Sequence, residues 1–176
     1  MDINDKQLVD GCRKHERKSQ EQLYRKYAGE MLRICLAYEP DRDEAKDILQ
    51  NAFLKVFRNI EAYSGEGALK AWIRRIITNT AIDAFRKKQK EHTLRFDDVG
   101  EVFEHPCDVS DPLVCQDLLK EVEKLPDGAR MVFNLYAIEG YNHKEIAERL
   151  NISEGTSKSQ LSRARKLLNE QLMSVI

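Results

Sequence analysis

Residues able to act as nucleophiles or metal ligands are few and scattered. The four cysteines are Cys12, Cys35, Cys107 and Cys115, and none forms a C-x-x-C pair, so no redox dithiol or disulfide framework is spelled out. His105-Pro106-Cys107 with Cys115 downstream could offer metal ligands. Isolated His and Cys are more often ordinary structural residues, and no metal site or cofactor is expected. There is no phosphate-cradling glycine loop, no nucleophile elbow and no H-E-x-x-H pattern. Asp97-Asp98 pair two carboxylates in a polar stretch with no sign of a pocket. What is concentrated is cationic hydrogen-bond donors. From Gly155 to Leu168 the chain carries Lys158, Arg163, Arg165 and Lys166 and no acid. Guanidinium and ammonium groups suit phosphate oxygens and the acceptor edge of guanine. The chemistry on offer is recognition of a polyanion, and a catalytic reading has little support.

The wider charge pattern agrees. The formal net charge is only −1, but the charges are segregated. Between Ala68 and Arg95 stand Lys70, Arg74, Arg75, Arg86, Lys87, Lys88, Lys90 and Arg95 against Asp83 and Glu91, a net of +6. From Asp97 to Asp127 ten carboxylates face Lys120 and Lys124, a net of −8. Two basic blocks around an acidic one suggest two polyanion-facing modules and an acidic connector. Hydrophobic residues make up 41% and charged residues 34%, with 4 Pro and 8 Gly in 176 residues. That composition favours long helices with polar outer faces. No apolar run approaches the roughly 20 residues of a membrane span, and the N-terminus has no apolar signal region. No membrane insertion is expected, and the chain should stay in the cytoplasm.

Helices must position these groups. Periodicity predicts a short helix around Asp5 to Gly11 and another from Ser19 to Tyr38, with Leu23, Tyr27, Met31, Ile34 and Leu36 on one face. Pro40 ends it. Asp43 to Ile60 has a wide apolar stripe of Ile48, Leu49, Ala52, Phe53, Val56, Phe57 and Ile60. Its opposite face carries Asp47, Gln50, Asn51, Leu54, Lys55 and Arg58. Leu54 stands out there, since an apolar side chain among polar ones can mark a docking surface. After a Gly/Ser loop, a helix from Leu69 to Lys90 should bury Leu69, Trp72, Ile73, Ile76, Ile77, Thr80, Ala81 and Phe85. Lys70, Arg74, Arg75, Thr78, Asn79, Arg86 and Lys87 would lie outward. Glu91 to Pro112 loses periodicity and reads as a linker containing a domain boundary. Helices return at Leu113 to Leu125 and at Arg130 to Glu139, the latter closed by Gly140.

The last two helices form a helix-turn-helix pattern. Asn142 can cap the first, with Glu145 as its capping-box partner; Ile146, Ala147 and Leu150 face inward. Asn151 suits the left-handed turn, and Ser153 caps the second helix. That helix has an inner stripe of Ser157, Leu161, Ala164 and Leu168 and presents Gly155, Lys158, Ser159, Ser162, Arg163 and Lys166 outward. Such a helix fits the major groove. A merely solvated charged face is the plainer alternative, but frame and charge together favour DNA. Ser157 breaks the stripe. Lacking an aliphatic there should weaken packing by about 1 kcal/mol unless the hydroxyl bonds back to the Ser153 carbonyl.

With these motifs in order, nearly the whole chain resembles the bacterial extracytoplasmic-function (ECF) sigma factors. The stretch from Leu125 to Leu168 is similar to their domain four. "AKDILQNAFLKVF" resembles the polymerase-binding helix of domain two, and "ALKAWIRRIITNTAIDAFRKKQK" its minus-ten helix. The resemblance implies an all-α chain of two small domains, with domain two at 1–92, a linker at 93–112 and domain four at 113–176. Asp47, Gln50, Asn51, Leu54 and Arg58 would dock on the β′ clamp helices of core RNA polymerase, with the β subunit as a further contact. The family often has Glu where Asn51 stands. Ser64 and Gly65 in the loop Glu61 to Gly67, with Asn79, would hold a flipped base of promoter DNA. Arg74, Arg75, Arg86, Lys87 and Lys88 would bind phosphates. Trp72 invites a strand-melting role, although its place on the inner stripe favours packing. Lys158, Ser159, Ser162, Arg163 and Lys166 would serve the minus-thirty-five element. The family usually has an aliphatic at position 157 and often Arg at position 160, where this chain has Gln160. An anti-sigma partner, commonly membrane-bound in this family, is also implied. Two other functions compete: a DNA-binding regulator with a helical N-terminal interaction domain, and a helical adaptor. A regulator needs neither the outer face of Asp47 to Arg58 nor the basic helix, and an adaptor needs no basic recognition helix.

Overall fold

Helix α1 spans Asp5–Arg13, α2 Arg17–Tyr38, α3 Arg42–Arg58 and α4 Leu69–His92, with a 3₁₀ turn at Ile60–Ala62 between α3 and α4. The computed structural model describes residues 5–92 and 121–173. After residues 121–123, which are helical, come α5 at Asp127–Phe133, a π-helical turn at Asn134–Ile138, α6 at His143–Leu150 and α7 at Glu154–Met173. Among the described residues there is no strand. The linker 93–112, with Asp97-Asp98, His105 and Cys107, and most of the helix expected at Leu113 to Leu125, including Cys115, lie outside the described residues. The chain divides into two compact units, residues 1–84 and 85–176.

In the first unit α1 packs on α2 and α2 on α3. Leu23, Met31, Ile60, Leu69, Ile73 and Ile77 are completely buried. Asp41 starts α3, its carboxylate accepting from the Asp43 and Glu44 amides at 3.0 Å, so two orphan donors are satisfied. Ion pairs tie α4 to its neighbours: Lys70 to Glu30 at 2.5 Å and Lys55 to Asp83 at 2.9 Å. Lys55, expected on the open face of α3, is thus used within the unit. Thr78, expected outward on α4, is buried, as is Ile82. A helical threonine tolerates this because its hydroxyl can reach the i−4 carbonyl. Thr80 does so, donating to Ile76 at 2.8 Å.

In the second unit α5 and α6 both pack on α7. Val122, Leu125, Ala129, Ala164 and Leu168 form a core cluster flanked by Phe133 and Leu167. The helix expected from Arg130 to Glu139 instead starts at Asp127 and changes type. Glu139 donates to the Asn134 carbonyl, an i→i+5 bond. This wider turn changes the angle at which its side chains leave the helix axis. Tyr136 and Ile138 stand 36% and 43% exposed. Asn142 and Glu145 form the capping box, with bonds of 2.9 and 2.8 Å. Asn151 takes the left-handed conformation, φ 55° and ψ 51°. Ser153 Oγ accepts from the Thr156 amide at 2.9 Å at the start of α7.

Candidate polymerase-docking and nucleic-acid surfaces

On α3, positions 47, 51, 54 and 58 follow steps of four, three and four, and 50 lies four before 54, which aligns them along one helix face. Asp47, Gln50, Asn51 and Arg58 are all exposed. Leu54 is 53% exposed among them. Beyond the 3₁₀ turn, Ser64 and Gly65 lie exposed at the tip of the loop, Gly65 with φ +84°. Trp72 is half-buried with its ring 5.5 Å from that of Tyr63, consistent with packing.

Along α4, Arg75, Asn79 and Arg86 lie within one stripe by their spacing of four and seven. Arg75, Arg86 and Lys87 are exposed; Arg74, Asn79 and Lys88 are half-buried and already engaged within the molecule. Lys87 lies 3.8 Å from Glu91, an exposed pair of small energetic weight.

On α7, Lys158 and Lys166 are exposed, while Ser162 and Arg163 are half-buried and have partners within the chain. Ser159 is only 9% exposed. Its hydroxyl donates to the Thr156 carbonyl at 3.0 Å. Ser157 is completely buried, as the stripe requires. Its hydroxyl meets His143 Nδ1 at 2.9 Å. The Ser153 carbonyl, the other acceptor open to that hydroxyl, takes the Ser157 backbone amide at 3.0 Å.

Two family descriptions match, and in chain order: "Sigma-70 region 2" over residues 23–91 and "Sigma-70, region 4" over residues 115–168. The ECF RNA polymerase sigma factor SigM of Bacillus subtilis (strain 168) is 33% identical over 153 residues, covering 84% of this chain and 91% of that protein. The chain belongs to the ECF sigma factor family. SigW of the same organism is 31% identical over 158 residues, covering 83% of this chain and 84% of that protein. In three dimensions the chain aligns with the sigma factor RpoE of Bartonella quintana, solved with the anti-sigma factor NepR. That alignment has a TM-score of 0.49 and 25% identity, over 87% of this chain and 96% of that one.

A sigma factor directs core RNA polymerase to specific promoters and helps open them, so its surfaces must bind protein and DNA from two units of one chain. The helix-turn-helix is braced by side chains that periodicity did not single out. His143, at the start of α6, stacks on Tyr136 with centroids 4.9 Å apart, and the Arg165 guanidinium lies 5.7 Å from the Tyr136 ring. Arg165, Tyr136 of the π turn, His143 and Ser157 thus form one continuous contact from α7 back to α7. Burial first, then Lys158 and Arg165, holds the His143 imidazolium below its ordinary range. Arg130 is buried and donates to the Leu125 carbonyl at 2.6 Å while pairing with Asp127 at 2.6 Å. It thereby serves orphan carbonyls where a helix ends. Asp127, one turn before Arg130, was the available signal for that pair. Nothing local marks His143 as the partner of a residue fourteen positions away. Cys12 and Cys35 are buried free thiols pushed up to about 11 and about 12, mainly by desolvation. Thiols held protonated in this way are poor nucleophiles.

Proposed function

We propose a division of labour along this sigma factor. Residues 1–92 bind core polymerase and the minus-ten element, 93–112 connect, and 113–176 bind the minus-thirty-five element. Asp47, Gln50, Asn51, Leu54 and Arg58 dock on the β′ clamp helices. Ser64, Gly65 and Asn79 capture a flipped base, and Arg74, Arg75, Arg86, Lys87 and Lys88 hold phosphates. Lys158, Ser162, Arg163 and Lys166 enter the major groove. Ser159 contributes once its hydroxyl leaves the Thr156 carbonyl. The protein has no active site of its own and works in the cytoplasm. An anti-sigma protein covers its exposed faces between uses, as family membership suggests. No helix among the described residues is long and apolar enough to cross a membrane.

The observation that carries this reading is the exposed Leu54 inside a polar stripe of the first unit, in a chain whose second unit holds a helix-turn-helix. A DNA-binding regulator has no need of that stripe. Run-off transcription on genomic fragments with core polymerase tests it and recovers the promoter. Leu54→Asp should lower core affinity by tenfold or more, because a desolvated apolar anchor is replaced by a charge. Core binding equal to that of the unaltered chain would overturn the docking assignment.

A further inference from the structure

The loop between the 3₁₀ turn and α4 is held from its base. The Tyr63 hydroxyl donates to the Gly67 carbonyl at 2.7 Å, closing residues 63–67 on themselves. Arg13, the last residue of α1, donates from Nη2 to the Tyr63 carbonyl at 2.6 Å, across fifty positions of sequence. Tyr63 is buried and its ring packs on Trp72. Helix α1 is in turn fixed on α2. A Cβ on Gly11 would collide with Ser19 Oγ and fall 2.6 Å from Ser19 Cβ, so glycine permits this approach. Asp5 accepts from the Tyr27 hydroxyl at 2.8 Å and pairs with Lys26 at 3.0 Å. Above this base the tip is exposed, with Ser64 Oγ accepting from the Glu66 amide at 3.2 Å.

A tip with two glycines at positive φ, Gly65 and Gly67, would by itself sample many conformations. Glycine loses more conformational entropy on ordering than any other residue. A ligand that must order such a loop binds more weakly, and a base that fixes the loop beforehand removes that cost.

We infer that Arg13 and Tyr63 are positioning residues for capture of the minus-ten base: they hold Ser64 and Gly65 in the capturing conformation without touching the DNA. This rests on the assignment of that loop to base capture. It gives α1, which carries no assigned polymerase or DNA contact, a part in promoter recognition.

The test uses holoenzyme assembled from core polymerase and the full chain. The probes are single-stranded non-template oligonucleotides carrying the minus-ten element recovered by run-off transcription, and the same strand with the captured base made abasic. Tyr63→Phe removes only the hydroxyl and keeps the ring on Trp72. Arg13→Gln removes the bond to the Tyr63 carbonyl. Each should reduce the affinity ratio of intact to abasic strand by about three- to tenfold, the range of one hydrogen bond. Core affinity and binding of minus-thirty-five duplex should stay unchanged. The double variant should be no worse than the more affected single one, since both act through one loop state. Arg13→Lys, which keeps a donor, should recover part of the ratio. An unchanged ratio, or equal losses on both strands, overturns the inference. Ser64→Ala and Gly65→Ala separate the two ideas. If these leave the ratio unchanged, the base-capture assignment falls and the inference with it. If they lower it while Tyr63→Phe and Arg13→Gln do not, only the clamp is wrong.

Discussion

In the first unit the deepest side chains are aliphatic, Leu23, Met31, Ile60, Leu69, Ile73 and Ile77 among them. Its charged anchors sit at the margins, as with Asp5, Lys26 and Arg13. In the second unit an arginine, an asparagine and a serine, Arg130, Asn134 and Ser157, are themselves buried. They share the interior with Leu125, Met131, Leu135, Ile146 and Leu150. A buried polar group is tolerated where it finds a hydrogen-bond partner. Polar contacts then carry part of the specification, and they respond differently to damage. An apolar truncation loses contacts in proportion to size, whereas removing half of a buried polar pair strands the other half.

The largest effect should come from breaking the buried polar anchor. Arg130→Met leaves the Leu125 carbonyl without its donor and Asp127 without its cation. We expect a loss of about 2–4 kcal/mol, confined to the second unit. Trp72 is the only tryptophan and lies in the first unit, so its fluorescence during urea unfolding should be unmoved. Hydrogen exchange in α6 and α7 should accelerate. Parallel shifts in both signals would mean that the units unfold together, and the contrast drawn between them would fail.

Next comes a matched pair. Ser157→Val restores the aliphatic that the stripe calls for. From sequence alone it should stabilise, but the hydroxyl holds His143. The variant loses that bond and places a branched side chain in a fully buried site, so we expect a loss of about 1–2 kcal/mol. Tyr27→Phe in the first unit should cost less, about 0.5–1 kcal/mol, because Asp5 keeps Lys26 and reaches solvent. A higher melting temperature for Ser157→Val would show that the second unit is governed by apolar packing after all.

Most helix positions, the caps and the stripe of α3 were legible because each depends on local spacing, while on α2 Cys35 and Tyr38 are buried and the expected Ile34 and Leu36 only partly so. Asn142, Glu145, Asn151 and Ser153 stand where their side chains and backbone preferences required. The exposed Leu54 was legible for the same reason. The failures share a different origin. The helix that begins at Asp127 runs into a π turn closed by one i→i+5 bond, and no composition rule announces such a turn. Ser157 was seen as odd but not as paired, since its partner arrives through tertiary folding. Ser159 was placed on the outer face by angle, yet its hydroxyl turns back to the helix. The Arg13 to Tyr63 bond joins segments whose approach depends on how α1 lies on α2.

The smallest effect sharpens the comparison by pH. His143 is held below its ordinary value of 6.5, first by burial and then by Lys158 and Arg165, with Glu154 opposing. The folded second unit therefore binds fewer protons at this site than the unfolded chain does. Its stability is fully present above 6.5 and falls as pH drops through that value toward the folded one. In the first unit the buried groups with a resolved shift, Cys12, Tyr27 and Cys35, are all raised, so they contribute no slope near neutrality. Hydrogen exchange of α6 and α7 should thus loosen between about pH 7 and pH 5.5, the histidine range, more than that of α2 and α3. His143→Asn keeps a hydrogen-bonding atom near the Nδ1 position without the titration, and should remove the excess. If the second unit loosens equally in that variant, carboxylates elsewhere carry the pH dependence, and the His143–Ser157 contact serves only to join the helices.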